Sequence, residues 1–104
     1  MRLNPTHVHL LLALASGEKH GYALGAEVRE RSGGGLKLGP GTLYFALERL
    51  TEAGLIEPAG NAEEPRGRQP YRLTANGRDR LASEVDGLRQ IVELAEASGV
   101  GDDG

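Results

Sequence analysis

From Leu81 to Ala95 apolar residues recur at intervals of four, three, four and three: Leu81, Val85, Leu88, Val92 and Ala95, with Ile91 beside them. A helix keeps such a seam on one side, and a second helix laid along it removes it from water. The chain has 104 residues, 38% of them hydrophobic, enough for one thin-cored domain and too few for two. The seam is therefore predicted to leave the body of the domain and pair with a second copy through Leu81, Val85, Leu88, Ile91, Val92 and Ala95. Thr74 caps the segment, so the helix is expected over about 75–98. Gly87 weakens it by about 1 kcal/mol relative to Ala. The tail, 99–104, is acidic and glycine-rich and is expected to be disordered.

Upstream, glycine and proline divide the chain into shorter pieces. Asn4-Pro5 opens a first helix, with Asn as cap and Pro at the first helical position. Val8, Leu11, Leu12 and Ala15 form its expected buried stripe, and Leu10 and Leu14 widen it. A helix apolar on most sides is also expected to reach the subunit contact, through Leu10 and Leu14. His20-Gly21-Tyr22 starts a second helix, carried on by Leu24, Gly25 and Val28. Gly33-Gly34-Gly35 then reads as a flexible linker, because no strand precedes it and no Gly-Lys-Ser/Thr follows, as a nucleotide loop requires. Gly39-Pro40-Gly41-Thr42 opens a third helix with the Thr42 hydroxyl as a candidate cap; Leu43, Ala46, Leu47 and Leu50 make its apolar stripe, and Gly54 stops it. Residues Leu55–Pro58 and Tyr71–Thr74 alternate apolar and polar, the pattern of a β-hairpin. Its loop carries Arg66 and Arg68.

Charge is distributed unevenly. The net is −3, but residues 66–80 carry +4 and residues 81–104 carry −5. A local basic stripe suits phosphate contact, with the acids placed on another element. Cysteine is absent, which excludes disulfides and thiolate chemistry. No apolar run approaches the ~20 residues of a membrane span and no leader pattern opens the chain, so a cytoplasmic protein without membrane contact is expected. His7 and His9 lie two apart and point to different faces of a helix; no metal or cofactor site is expected. No nucleophile elbow or carboxylate pair stands out, and His20 has no orienting partner, so an enzyme is not expected.

The third helix carries the least ordinary surface. Away from its leucines it presents Thr42, Tyr44, Phe45, Glu48, Arg49 and Glu52, and two neighbouring aromatic rings there are not needed by its own core. The order of elements is that of a mostly α, α+β winged helix-turn-helix with an appended long C-terminal dimerisation helix. His20-Gly21-Tyr22-Ala23-Leu24, Pro40-Gly41-Thr42-Leu43-Tyr44, Ala46-Leu47-Glu48-Arg49-Leu50, Gly54-Leu55-Ile56 and Tyr71-Arg72-Leu73-Thr74-Ala75-Asn76-Gly77-Arg78 resemble, block after block over about residues 8–85, the PadR family of transcriptional regulators. The single last helix resembles its smaller subfamily.

The resemblance implies a homodimeric, usually repressing protein that binds a pseudo-palindromic operator in double-stranded DNA. The third helix of a winged helix enters the major groove N-terminus first, which assigns Pro40, Gly41, Thr42, Tyr44, Phe45 and Arg49 to the groove. Lys37 and the opening of the second helix, His20, Gly21 and Tyr22, are assigned to phosphates, and Arg66 and Arg68 to the wing; Arg72 and Arg78 stay open. Residues 1–98 form one domain on this reading, with a DNA-binding core at 5–80 and the dimerisation helix at 75–98. Phe45 departs from the family, which commonly has proline or a small residue there. The absence of tryptophan removes the tryptophan-lined drug pocket of some relatives, and a small-molecule effector of unassigned identity would act on Leu10, Leu14, Leu88 and Val92. The negative net charge favours one alternative, a winged-helix module that grips another protein without binding DNA.

Overall fold

A computed structural model describes residues 1–60, 64–65 and 68–100. In chain order these form α1 (Pro5–Ala15), β1 (Lys19–His20), α2 (Gly21–Arg31), α3 (Pro40–Glu52), β2 (Ile56–Pro58), β3 (Pro70–Leu73) and α4 (Ala75–Ala97). The expected hairpin is present, β2 pairing antiparallel with β3, Ile56 opposite Leu73 and Pro58 opposite Tyr71. It is one part of a three-stranded sheet in the order β1-β3-β2. The two-residue β1, which pairs Lys19 with Tyr71, is too short to carry an alternating pattern and was not expected. Arg66 and residues 101–104 of the acidic tail lie outside the described residues.

The helix ends follow local chemistry closely. Asn4 caps α1: the His7 amide donates to Asn4 Oδ1 at 2.8 Å and the Asn4 amide donates to His7 Nδ1 at 3.1 Å. This reciprocal pair is a capping box with histidine in the place usually held by Glu or Gln. Lys19 Nζ closes the other end of α1, donating to the Ala13 carbonyl at 2.7 Å and to Ser16 Oγ at 2.9 Å. The three glycines after α2 are an ordered stop in place of the expected flexible linker. Gly33 takes φ +65°, and the amides of Gly33 and Gly34 return to the carbonyls of Glu30 and Arg29 at 3.1 and 2.9 Å, the paired bonds of a Schellman turn. At α3 the cap is Gly39, with no side-chain bond. Thr42 sits three residues into the helix and does not cap it.

Leu10, Leu11, Ala13 and Leu14 of α1 meet Leu24 and Val28 of α2, Leu43, Ala46, Leu47 and Leu50 of α3, and Leu55, Ile56 and Leu81 in one core. The buried face of α1 is thus turned from the expected stripe: Leu12 is exposed, because α1 is enclosed by α2, α3 and the start of α4. Three residues expected at the subunit contact are withdrawn by the same packing. Leu10, Leu14 and Leu81 are 0%, 2% and 6% exposed within a single chain, which leaves them no surface for a partner.

Helix α4 is set against the head by a junction around Thr74. The Leu55 amide bonds the Leu50 carbonyl and the Gly54 amide bonds that of Thr51, both at 3.0 Å, with Gly54 at φ +76°; α3 therefore ends in a second Schellman turn. Thr74 then joins this turn to α4. Its hydroxyl donates to the Gly54 carbonyl at 2.6 Å and accepts from the Gly77 amide at 2.9 Å, while its amide donates to the Leu55 carbonyl at 3.1 Å. Gly77 is buried, and a Cβ there would overlap that same carbonyl and press on Leu73 Cδ1. Gly77→Ala is expected to cost at least 1–3 kcal/mol, about the cost of an overpacked core site, read as a lower denaturation midpoint. Thr74→Ala, which loses a cap and an interelement bond, should cost about 1–2 kcal/mol.

Candidate nucleic-acid interface

Successive residues of a helix turn by about 100°, so α3 divides its side chains between two flanks and the core. Leu43, Ala46, Leu47 and Leu50 point inward. Thr42, Phe45 and Arg49 share the flank toward the start of the chain. Phe45 is 61% exposed, and the Arg49 guanidinium lies over its ring, 5.9 Å from the centroid, within the range of a cation–π contact. The Thr42 side chain makes no hydrogen bond among the described residues, and Arg49 has no ion pair there.

Tyr44 belongs to the other flank, which corrects its grouping with Phe45. It is half-buried against the core, and its ring covers Gly21 so closely that a Cβ on Gly21 would stand 3.0 Å from it. Pro58, Tyr71, Glu48 and Glu52 lie on this side too. Gly21 likewise offers no surface for contact, being buried, with its amide donated to the Gln69 carbonyl at 3.1 Å. Its neighbours stay available. His20 is exposed and Tyr22 is 79% exposed, so the opening of α2 presents side chains beside α3.

Lys37 is exposed between Leu36 and Leu38, which pack against the core, so the loop holds the ammonium just before α3. Pro40 and Gly41 are exposed at its first turn. On the hairpin Arg68 is exposed, whereas Arg72 is engaged: its Nε meets Glu57 Oε2 at 2.6 Å and its Nη1 lies 3.7 Å from Glu18. The hydrogen bond and charge of Glu57, with Glu18 behind them, raise the Arg72 pKa further above its usual value. Arg78 is exposed and unpaired among the described residues, and the nearby Glu84 bonds Arg80 at 3.2 Å.

The far part of α4 leaves the head. Val85 still packs on the core, but Leu88, Ile91 and Val92 are 49–62% exposed, and Leu94, missing from the expected seam, is 68% exposed. The signal for Leu94 was its place three residues after Ile91, which widens the stripe. Ala95 is half-buried. In the first turn of α1, half-buried His7 is held below the usual histidine pKa, first by burial and then by the charge of Arg49.

A three-helix head, an outward-facing aromatic and cationic flank on its third helix, a hairpin beside it and a long helix that leaves with an apolar stripe define a winged helix-turn-helix protein of the DNA-binding, transcription-regulating class. The chain belongs to the Transcriptional regulator PadR-like family, whose pattern matches residues 10–83. That family consists of regulators and not of enzymes. Similar proteins include the transcriptional regulator Rv3488 of Mycobacterium tuberculosis, 34% identical over 81% of this chain and 76% of that protein. Another is an uncharacterized 37.1 kDa protein in transposon TN4556 of Streptomyces fradiae, 39% identical over 99% of this chain; the chain spans 28% of that protein's length. Among solved structures, a PadR family transcription regulator from Clostridium difficile superposes with a TM-score of 0.76 and 28% identity, over 90% of this chain and 97% of that one. No described helix is long and apolar enough to cross a membrane.

The depressed pKa of His7 has a consequence for stability. The unfolded chain, with an ordinary histidine near pH 6.5, takes up the proton first as pH falls. The stability contributed by neutral His7 is therefore complete above about pH 6.5 and is lost as pH falls toward the folded-state value. Chemical denaturation from pH 8 to pH 5.5 is expected to show wild type losing more stability than His7→Gln, which keeps an acceptor for the Asn4 amide and cannot titrate.

Proposed function

We propose that the chain is a homodimeric repressor that binds a pseudo-palindromic operator in duplex DNA, acting in the cytoplasm. The observation that supports this most directly is the flank of α3: a phenylalanine exposed to water, a guanidinium stacked on it and an unbonded hydroxyl, none of them used by the fold. Phe45 suits a thymine methyl, Arg49 and Thr42 suit base edges or phosphates, and α3 is narrow enough for a major groove about 12 Å wide. Lys37, Pro40 and Gly41 lie at the start of α3 and His20 and Tyr22 on its Tyr44 side, and these suit the DNA backbone; Arg66 and Arg68 of the wing are assigned to the minor groove on the same reading.

Two such surfaces need a fixed separation. The stripe of Leu88, Ile91, Val92, Leu94 and Ala95 is where a second copy would pair, with Val85 at its inner edge. Half-sites about one helical turn apart, ~10 bp or a multiple of it, would match two reading helices on one side of the duplex. Few of the available groups read bases individually, so DNA shape and spacing would carry much of the specificity. An effector that prefers a different crossing of the paired α4 helices would shift that spacing by its differential affinity for the two states. With Leu10 and Leu14 buried, its surface would centre on Leu88 and Val92.

The decisive experiment is a salt series on a duplex selected from a random pool and on the DNA upstream of the chain's own gene. Affinity is expected to fall steeply with salt, as it does when phosphates shed counterions. Binding to a protein in place of DNA would instead give no retained duplex at any salt. Arg66→Ala and Arg68→Ala should each weaken binding on all sequences and flatten the slope by about one unit per half-site. Phe45→Ala should narrow the preference for the selected site, by about 1–3 kcal/mol per half-site if a base pair loses its reader. The double variant Leu88→Glu/Ile91→Glu is expected to sediment as a monomer at micromolar concentration and to lose operator binding while its head stays folded.

A further inference from the structure

A groove of about 420 Å³ runs between the leading segment and α3, lined on one side by Arg2, Thr6 and His7 and on the other by Thr42, Phe45 and Arg49. Its chemistry is one-sided. It holds two guanidiniums and no carboxylate, although the chain as a whole is acidic. The acids of α3, Glu48 and Glu52, stand on the opposite flank beside Tyr44.

The leading segment is fixed at three points. The Met1 carbonyl accepts from Arg80 Nη2 at 2.6 Å, Leu3 packs on the core, and Asn4 is tied to His7 by the reciprocal bonds of the cap. Arg2 therefore sits between anchored neighbours, exposed and without an ion pair among the described residues. The cap also settles the state of His7. Because Nδ1 accepts the Asn4 amide, the neutral ring carries its proton on Nε2 and offers it as a donor. Arg49 is close enough for its charge to be felt at His7, and its guanidinium is steadied over Phe45.

Arg2, Arg49, His7, Thr6 and Thr42 thus line one space, and their side chains carry several donors and nothing anionic. An oxyanion with several acceptor oxygens satisfies that set, and guanidinium matches a phosphate in charge and in geometry. We propose that this groove is a phosphate site of the DNA interface, holding one backbone phosphate of the duplex between Arg2 and Arg49 while Phe45 faces the bases. The proposal rests on the DNA-binding reading above. It adds the leading segment as a contact separate from the wing and from the opening of α2, and gives His7 a part as a neutral donor there.

The test is a methylphosphonate scan, in which a selected duplex has its phosphates made neutral one at a time and is titrated with the full chain. Arg2→Ala is expected to weaken every duplex by about 3- to 10-fold and to flatten the salt slope by about one unit per half-site, with an unchanged denaturation midpoint. One neutralised position per half-site should weaken the wild type by more than that factor and weaken Arg2→Ala by distinctly less than it weakens the wild type, because Arg49 still meets the phosphate there. His7→Glu, which preserves the cap and puts a carboxylate in the groove, should fold normally and bind more weakly than Arg2→Ala. Losses that simply multiply at every position would overturn the site, as would Arg2→Ala binding with the wild-type slope on a duplex that Phe45→Ala still weakens. No binding of any duplex by the wild type would instead overturn the DNA reading, and the site with it.

Discussion

The position of α4 depends on one carbonyl. The Leu55 oxygen accepts the Thr74 amide and lies where a side chain on residue 77 would have to go, so the end of α3, the start of β2 and the first turn of α4 meet without a gap. A hydrogen bond alone would allow the helix to pivot. The buried glycine, with Leu81 entering the core one turn later, removes that freedom. The orientation of α4 and that of α3 are therefore a single geometric quantity, because both run through the Gly54 turn. On the proposed reading, a pairing contact made far out on α4 would fix α3 only if this joint is stiff, and interlocked backbone at close-packed density is stiff.

The same economy of space shapes α3. Four of its residues face the core, and the remainder separate into a flank that completes the fold and a flank that does not. Tyr44 completes it, roofing Gly21 and pressing toward the sheet. Phe45, one residue on, has nothing to cover. Burying a phenylalanine is worth about 1.5–3 kcal/mol, so leaving it in water with an arginine stacked over it forgoes stability for which the head alone gives no return.

Much of the architecture was legible because it is written in local chemistry. Asn4-Pro5, Gly54 and Thr74 are stop and start signals whose physics acts over one turn, and each sits at a helix end. The two strands of the hairpin likewise followed from alternation. What escaped was set by distant parts of the chain. β1 is two residues long and exists because β3 offers it an edge. Leu12 and Leu10 are equally apolar, and which of them faces water is decided by where α2, α3 and α4 lie around α1. Tyr44 and Gly21 both looked available in sequence, since nothing local says that a ring from α3 will settle on the first turn of α2. The seam on α4 had the right period throughout, yet its inner end serves the chain's own core. Periodicity gives a helix its apolar face without saying which molecule covers each part of it.

A net charge of −3 is the strongest objection to a polyanionic partner, and the geometry answers it. The Debye length at physiological ionic strength is about 8 Å, so charges further off than that scarcely affect a phosphate at α3. Asp86, Glu93 and Glu96 lie on the exposed part of α4; at about 1.5 Å rise per residue, Glu93 is some 27 Å along the helix from Ala75. Glu57 and Glu18 are already spent on Arg72. Glu48 and Glu52 share α3 with Arg49 but occupy the flank toward the sheet. The charged side chains lining the groove beside Phe45 are Arg49 and Arg2, so the local field there is positive even though the sum over the chain is not. On the proposed reading, in which α4 pairs with a second copy, the acids of α4 would serve a second end by disfavouring contact between that helix and a polyanion.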